Sequence, residues 1–328
     1  MSAGKPLLSL GLDLDNLWSY MKIHGDPGWE SHPTYLEPLA ELLEAFTRRH
    51  QVRLTIFVVG QDAALDKNRQ AFARLAALGH EMGNHSFKHE PWFHLYARTE
   101  IEDEIARTED AIERATGQRT HGFRGPGYSL SRDTLRVLAG RNYLYDCSTL
   151  PTFLGPLARA YYFWKSRGMP EAEREKRSKL FGRLRDGLQP IRPYVWNVEG
   201  RKIVELPVTT MPIARVPFHM SYLLYLSRFS SAAASAHLKT SLAMCRWGGV
   251  TPSFLLHPLD FLGCDKVREL AFFPGMDLPT SRKIEFVDAG MERLKRSFEV
   301  VPLEEAARRV PTTAMAPVRD LNAEGALG

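Results

Sequence analysis

The sequence predicts an α/β fold built on a parallel sheet, either open or closed into a barrel. Short apolar segments alternate with amphipathic helical segments along most of the 328 residues. Strands and helices that alternate in this way typically form βαβ units with parallel neighbouring strands. The chain is long enough to bury a large core. Its 44% hydrophobic and 25% charged residues are ordinary for a globular protein.

The first part of the chain has the clearest alternation. The predicted elements are strand 7–15, helix 35–50, strand 52–60, helix 61–79, extended segment 81–85 and helix 97–117. Residues 7–15 (LLSLGLDLD) alternate apolar and polar side chains, which is typical of a strand with one covered face. The helices at 61–79 and 97–117 both end at a glycine, a common helix C-cap.

The pattern continues more weakly after residue 120. The predicted elements are strand and loop 121–127, helix 131–140, strand 143–148, and strand-like segments 202–210, 251–258 and 298–303. We expect a single domain over residues 1–310, with an inserted helical segment at about 150–200. The tail at 311–328 is small and polar, and we expect it to be loose.

Charge and cysteine content exclude several classes of protein. The net charge is +5 and the three cysteines lie far apart, so we expect no disulfide framework and no cysteine-rich zinc site. The first residues lack the features of a signal peptide, and no stretch has the apolar length of a membrane span. We therefore expect a cytoplasmic protein. Nucleic-acid binding has no supporting motif.

Two histidines four residues apart form the first candidate site. His85 and His89 lie in the segment HSFKH. On one helical turn, residues i and i+4 share a face, so both rings could bind one cation. Close spacings also arise by chance among eleven histidines. Two ligands do not complete a metal site, so a third is required.

The first predicted strand offers that ligand. Because side chains alternate along a strand, Asp13 and Asp15 lie on the same side, near its end. Two adjacent carboxylates repel each other unless a cation or proton lies between them. Asp15 with His85 and His89 would form a two-histidine, one-carboxylate set. Asp13 would then be a candidate general base. The alternative is that Asp15 only ends the strand or caps the next element.

Two further segments carry candidate catalytic residues. In FRGPG, the Arg124 guanidinium could hold the base carboxylate, and a backbone N–H beside Pro126 could face an oxyanion. In FLLHPLD, His257 ends an apolar strand, where a histidine could protonate a leaving amine. The alternatives are a plain strand–helix loop and a structural histidine.

The motifs LDLDN, HSFKH, RGPG and LLHP, in this order between residues 8 and 258, resemble those of the polysaccharide deacetylase family (NodB homology, carbohydrate esterase family 4). The resemblance implies a distorted (β/α) barrel of about seven parallel strands with helices outside. It also implies hydrolysis of an amide or ester by a metal-activated water. Asp13 would be the base, Arg124 its tether and His257 the acid, and the ligands would be Asp15, His85 and His89. Zinc is the favoured metal, with cobalt, nickel, iron and manganese as alternatives.

The sequence departs from the family pattern in three places. Leu14 separates the two aspartates, as in a DxD branch of the family. Gly127 follows Pro126 where an aromatic residue is usual, and Tyr128 comes next, so we expect these three residues to line the substrate and oxyanion site. The usual later Asp/Trp motif is not clear. Asp146, in YDCS, would be either the partner of a catalytic side chain or a residue that ends a strand.

Two segments suggest a lipid-linked substrate. Residues 154–186 carry nine Lys or Arg against four Asp or Glu and include the aromatic run YYFW, and residues 216–227 have no Asp, Glu, Lys or Arg. Both could contact a membrane surface. The alternatives are a solvated helical excursion for 154–186, and a core helix or lid for 216–227. The segment ELPVTTMP resembles the branch of the family that deformylates lipid-linked aminoarabinose.

We therefore expect a hydrolase that removes an acetyl or formyl group from an N-acylated amino sugar, in particular a glycolipid or lipid-linked sugar at the cytosolic membrane face. One alternative is a hydrolase of cyclic amides or ureides, similar to allantoinase. The other is a non-catalytic carbohydrate-binding relative.

Overall fold

The computed structural model describes residues 4–155, 184–311 and 317–321. Its strands are β1 (Leu7–Leu14), β2 (Thr55–Val58), β3 (Glu81–Asn84), β4 (Gly122–Phe123), β5 (Tyr145–Asp146), β6 (Tyr194–Val198), β7 (Arg201–Glu205), β8 (Ser253–Leu256), β9 (Glu299–Val301) and β10 (Val318–Asp320). Seven of them form one parallel sheet in the order β7-β5-β4-β3-β2-β1-β8. The expected α/β fold with about seven parallel strands is confirmed.

Helices connect the strands and cover the outside of the sheet. They are α1 (Leu17–His24), α2 (Leu36–His50), α3 (Gly60–Ala63), α4 (Arg69–Ala77), α5 (Arg98–Thr116), α6 (Arg132–Gly140), α7 (Met220–Ser227), α8 (Ser231–Trp247), α9 (Thr280–Ser297) and α10 (Leu303–Arg308). No helix within the described ranges is long and apolar enough to cross a membrane.

The alternation in β1 separates the outer core from the barrel interior. The four leucines of the strand, Leu8, Leu10, Leu12 and Leu14, pack in the large apolar core that includes residues of α2, α4 and α9. The opposite face points inward: a Cβ atom on Gly11 would lie 3.0 Å from Leu303 and 3.5 Å from the Arg124 guanidinium. Asp13, two residues on, faces the same interior. The predicted face of this strand is therefore correct.

Helix α10 lies against the end of the barrel opposite the candidate site. The Leu303 N–H donates to the Thr55 hydroxyl at 2.7 Å, and the Glu304 N–H donates to the Glu81 carboxyl at 3.0 Å. The Tyr145 hydroxyl also donates to Glu81, at 2.6 Å. These acceptors satisfy N–H groups that the first turn of a helix leaves unpaired. They anchor α10 to strands β2 and β3.

The strand ladder does not close into a complete barrel. β7 and β8 are the two ends of the parallel sheet. They approach where the Thr209 N–H donates to the Ser253 carbonyl at 3.0 Å, and where the Ser253 N–H donates to the Thr209 hydroxyl at 2.7 Å. The distorted barrel implied by the motifs is therefore present, with an opening in its hydrogen-bonded wall.

Two elements differ from the sequence-based expectation. The helix predicted over 61–79 is two helices, α3 and α4, separated by a turn. The strand predicted over 202–210 ends at Glu205 and forms an antiparallel hairpin with β6. The turn of that hairpin is Glu199-Gly200, with φ of +52° and +86°, a short connection that suits the strand twist.

Part of the C-terminal tail also differs from the expectation. Within the tail that we expected to be loose, Val318–Asp320 form β10 and pair with β6, because Leu321 buries its side chain beside that strand. Residues 156–183, which hold most of the expected insertion and of the basic and aromatic segment, lie outside the described residues.

Candidate active site

The three predicted metal ligands lie together at the carboxyl ends of β1 and β3. Asp15 follows β1, and its Oδ1 atom is 2.9 Å from His89 Nε2 and 3.4 Å from His85 Nε2. One ligand atom from each residue lies within 4.8 Å of the others. His85 and His89 are buried, and the Asp15 side chain is 14% exposed. The arrangement matches the two-histidine, one-carboxylate set expected from the sequence.

The two histidines converge by a loop and not by a helical turn, so that part of the sequence argument was wrong. Ser86 and His89 have φ of +60° and +53°, a left-handed conformation that is uncommon outside glycine. Glu104, on α5, holds the loop by accepting hydrogen bonds from the Phe87 and Lys88 N–H groups at 3.0 and 2.9 Å. Backbone conformations of this kind concentrate at functional sites.

The atoms of this cluster suit a cation. His85 Nδ1 donates to the Arg124 carbonyl at 2.6 Å, so neutral His85 presents the lone pair of Nε2 to Asp15. Asp15 Oδ1 is buried and has no hydrogen-bond partner among the described residues. Burial opposes ionisation of Asp15, but neighbouring His89 and His85 outweigh it and hold the pKa of its carboxyl well below the usual value. A divalent metal therefore fits these residues.

Asp13 and Arg124 form a buried ion pair beside this cluster. A terminal nitrogen of Arg124 donates to Asp13 Oδ1 at 2.6 Å, and its Nε donates to the Cys147 carbonyl at 3.2 Å. The guanidinium lies 4.4 Å from the centre of the Phe57 ring. Arg124 is fully buried. Burial opposes its charge, but Asp13 raises its pKa above the usual value, so the guanidinium stays charged. Oδ2 of Asp13 points towards His257.

His257 follows β8 on the other side of Asp13. Its Nε2 atom is 3.9 Å from Asp13 Oδ2, and its side chain is 19% exposed. Its Nδ1 atom lies 2.9 Å from the Ser221 hydroxyl, on α7. His257 therefore faces the candidate base with one ring nitrogen and a serine with the other.

The turn at Pro126, Gly127 and Tyr128 lies at the carboxyl end of β4. Gly127 and Tyr128 both have positive φ, +58° and +61°. The Tyr128 N–H donates to the Gly125 carbonyl at 2.9 Å, so it is engaged within the turn. The prediction of an oxyanion donor therefore concerns the Gly127 N–H. Burial, and then the Asp13 charge, raise the pKa of Tyr128 above its usual value, so its hydroxyl stays protonated.

Asp146 supports the same turn through Ser148. It accepts hydrogen bonds from the Ser148 hydroxyl at 2.7 Å and the Ser148 N–H at 3.0 Å, and Ser148 accepts one from the Gly125 N–H at 2.8 Å. Asp146 lies beside Glu205 on β7, and burial raises the pKa of both carboxyls. Of the two roles considered, the structure places Asp146 at the end of β5, behind the loop of Arg124, where it contacts Ser148.

Sequence reasoning missed two tyrosines at Asp15. The Tyr20 hydroxyl donates to Asp15 Oδ2 at 3.3 Å, and the Tyr35 hydroxyl donates to the Asp15 carbonyl. Tyr20 also packs edge-on against Phe273, with ring centres 5.2 Å apart. The spacing of Tyr20 from Asp15 gives a weak signal at best, because the contact depends on how α1 packs.

A second missed group lies behind Asn16. Asp62 accepts hydrogen bonds from the Asn16 side chain at 2.7 Å and from the Trp18 indole at 2.9 Å. The Asn16 side-chain oxygen accepts from the Leu17 N–H at 2.8 Å and so caps α1. This network fixes the backbone directly after Asp15.

Comparisons with known proteins find relatives of part of this chain. Residues 27–145 match the family model described as polysaccharide deacetylase, a span that includes His85, His89 and Arg124. The chain is 30% identical over 105 residues to the uncharacterized protein YlxY of Bacillus subtilis, covering 32% of this chain and 31% of that protein. It is 27% identical over 97 residues to a peptidoglycan-N-acetylglucosamine deacetylase of Bacillus cereus, covering 30% and 34%. The match therefore spans about a third of each relative.

The fold extends the similarity beyond the matched segment. A crystal structure described as a candidate polysaccharide deacetylase from Mycobacterium smegmatis superposes with a TM-score of 0.60 and 18% identity, covering 97% of this chain and 94% of that one. At this identity the superposition shows a shared fold. Over residues 27–145, the chain is thus similar to the polysaccharide deacetylase family.

Proposed function

We propose that this protein is a metal-dependent hydrolase that removes an N-acyl group, acetyl or formyl, from an amino sugar. The observation that carries the proposal is the position of Asp13. Its Oδ1 atom is held by Arg124, and its Oδ2 atom faces His257. Asp15, two residues on, lies with His85 and His89. Base, acid and ligand set therefore meet at one end of the barrel, where active sites of (β/α) barrels lie.

Each residue then has one task. Asp15, His85 and His89 would hold the metal. When bound, a divalent cation polarises an acyl carbonyl and lowers the pKa of a water to about 7 in favourable zinc sites. Asp13 takes the proton of the attacking water at Oδ2, since Oδ1 is occupied by Arg124. His257 gives a proton from Nε2 to the departing nitrogen. Arg124 holds the Asp13 carboxyl in place through their ion pair.

Hydrolysis of a small set of substrates would test this proposal. The purified protein, loaded with zinc and separately with cobalt, is incubated with N-acetylglucosamine oligomers, their N-formyl analogues and allantoin. Release of acetate or formate, lost in Asp13→Asn and His257→Ala, supports the proposal. Ring opening of allantoin alone favours the cyclic-amide alternative. Saturable sugar binding without product from any substrate favours the non-catalytic alternative.

We further propose that the substrate is a lipid-linked amino sugar and that the protein acts on it at the cytosolic face of a membrane. Helix α7 supports this proposal, because it begins at the site and ends at exposed apolar surface. Ser221, near its start, contacts His257, and Phe229, just beyond its end, is 74% exposed. Its eight residues span about 12 Å at 1.5 Å per residue. A sugar held at His257 would thus place an attached lipid near Phe229.

Flotation with vesicles tests the lipid proposal separately. We expect the protein to float with vesicles containing anionic lipid, and Phe229→Ser to float less, because exposed aromatic side chains insert at the headgroup level. Leu95→Ser removes another exposed apolar side chain, 50% exposed and not part of α7, and serves as control. Equal flotation of all three proteins, or none, would count against the membrane contact.

A further inference from the structure

The environment of His257 contains an orienting group that belongs to none of the sequence motifs. The Ser221 hydroxyl lies 2.9 Å from His257 Nδ1. Ser221 is 36 residues earlier in the chain and lies on α7, which packs against β8 and the turn that follows it. The other ring nitrogen, Nε2, faces Asp13 Oδ2 at 3.9 Å. One ring nitrogen of His257 therefore contacts Ser221, and the other faces Asp13.

Asp260 completes the arrangement. Its Oδ2 atom accepts a hydrogen bond from the backbone N–H of His257 at 2.8 Å, and its carboxyl also interacts with the Ser221 hydroxyl. A carboxylate can only accept, so the Ser221 hydroxyl donates to Asp260 and accepts from His257. That direction requires the hydrogen of neutral His257 to lie on Nδ1. Nε2 is then the nitrogen that gains and loses a proton.

The turn that carries Asp260 is fixed in place. Buried Lys283 donates from Nζ to the Leu259 carbonyl at 2.6 Å and to the Leu262 carbonyl at 2.9 Å. These two hydrogen bonds hold the backbone on both sides of Asp260. Holding a catalytic side chain in one geometry requires such support from residues behind it. Asp260 thus has a defined position relative to both Ser221 and His257.

Other nearby groups do not serve the same purpose. Asp146 is directed to Ser148 and Glu205. His219 has its ring 6.0 Å from that of His257, and burial, followed by the charge of His257, lowers its pKa to about 3. It therefore remains neutral. Asp13 faces Nε2, with Arg124 behind it.

We propose that Ser221 is a positioning residue for His257: it fixes the Nδ1–H tautomer and connects the imidazole to the Asp260 carboxylate. This inference rests on the proposed function for the identity of the reaction, but the tautomer of His257 can be measured without any substrate. The contact of His257 with Asp260 through Ser221 stabilises the imidazolium, the form that donates a proton to the leaving nitrogen.

The decisive experiment compares Ser221→Ala and Ser221→Thr with wild type by two readouts. The first is ¹⁵N–¹H NMR of the His257 ring in metal-loaded protein. We expect the Nδ1–H tautomer in wild type and in Ser221→Thr, and a mixture of tautomers in Ser221→Ala. Ser227→Ala, on the same helix but bonded to the Leu224 carbonyl, is the control and should match wild type.

The second readout is the pH profile of hydrolysis. In Ser221→Ala, kcat should fall about tenfold or more, but by less than the 10²–10⁴-fold expected for removing a general acid, with KM nearly unchanged. The alkaline limb should move to lower pH, because the imidazolium has lost its acceptor, and Ser221→Thr should restore both. An unchanged His257 tautomer in Ser221→Ala would overturn the inference. Absence of hydrolysis in wild type with the predicted tautomer change would instead remove only the proposed function.

Discussion

The Nδ1 atom of His85 lies 2.6 Å from the main-chain oxygen of Arg124, whose guanidinium holds Asp13 at 2.6 Å. Arg124 therefore orients a candidate metal ligand through its backbone and the candidate base through its side chain. A displacement of the β4 end would disturb both functions together. Asp146 and Ser148 support this strand end through the Gly125 N–H.

The ligand set predicts a specific pattern of metal content. Wild-type protein should contain about one ion per chain after zinc loading, and His85→Ala and Asp15→Asn should lose it, because two ligands rarely retain a metal. Plasma mass spectrometry measures the ratio. His121→Ala, at the opposite end of β4, is the control and should keep its metal. Equal metal in His85→Ala and wild type would rule out this site.

Asp13 and Arg124 should differ from the ligands in their effects. Asp13→Asn should retain metal but lose about 10²–10⁴-fold in kcat, the usual contribution of a general base. It should also lose stability, because it leaves a buried guanidinium unpaired, at a cost of about 3–5 kcal/mol.

A double variant separates these two effects. Asp13→Asn combined with Arg124→Met removes both charges, so its loss of stability in urea unfolding should be smaller than the sum of the single losses. Additive losses would mean that the ion pair is not coupled in the folded protein. Activity should remain low in the double variant, since the base is still absent.

Tyr20 should raise the metal affinity of the site without being a ligand. Tyr20→Phe removes the hydroxyl that donates to Asp15 Oδ2 and keeps the ring contact with Phe273. Loss of a hydrogen bond to a ligand typically reduces metal affinity about 10–100-fold. Competition with a chelator measures this, with Tyr225→Phe, on α7, as control. Identical metal-release curves for Tyr20→Phe and wild type would show that the 3.3 Å contact between Tyr20 and Asp15 does not contribute to metal affinity.

The sequence was sufficient where a local pattern determines geometry. The period-two alternation of LLSLGLDLD places Asp13 in the barrel interior, because the leucines between must face the helices. The ordered motifs likewise identify residues whose side chains the fold brings to one end of the sheet. Alternation along a strand needs no knowledge of distant residues.

Other features depend on contacts that no local pattern encodes. The HSFKH segment has no helical geometry, since Ser86 and His89 adopt positive φ and Glu104, from α5, holds the loop. β4 and β5 have only two residues each, too few for a periodic signal. Ser221 meets His257 only because α7 packs against β8. These positions require the tertiary structure.

A last prediction concerns stability at the end of the barrel remote from the site. Glu81 accepts hydrogen bonds from Tyr145, Thr55 and the Glu304 N–H, and burial raises the pKa of its carboxyl to about 7. In the unfolded chain that pKa is about 4.3. Between these values the folded protein retains a proton that the unfolded chain has released. The contribution of Glu81 to stability is therefore full below about pH 4.3 and falls as pH rises towards 7.

Glu81→Gln isolates this contribution, because glutamine is neutral at every pH. The free energy of unfolding of wild type, minus that of Glu81→Gln, should fall by up to about 3 kcal/mol between pH 4.5 and 7.5. Urea unfolding at several pH values measures it, with half-exposed Glu37→Gln as control. If the difference stays constant with pH, Glu81 is ionised in the folded protein, and the N-terminus of α10 is then held by a carboxylate charge and not by a protonated acid.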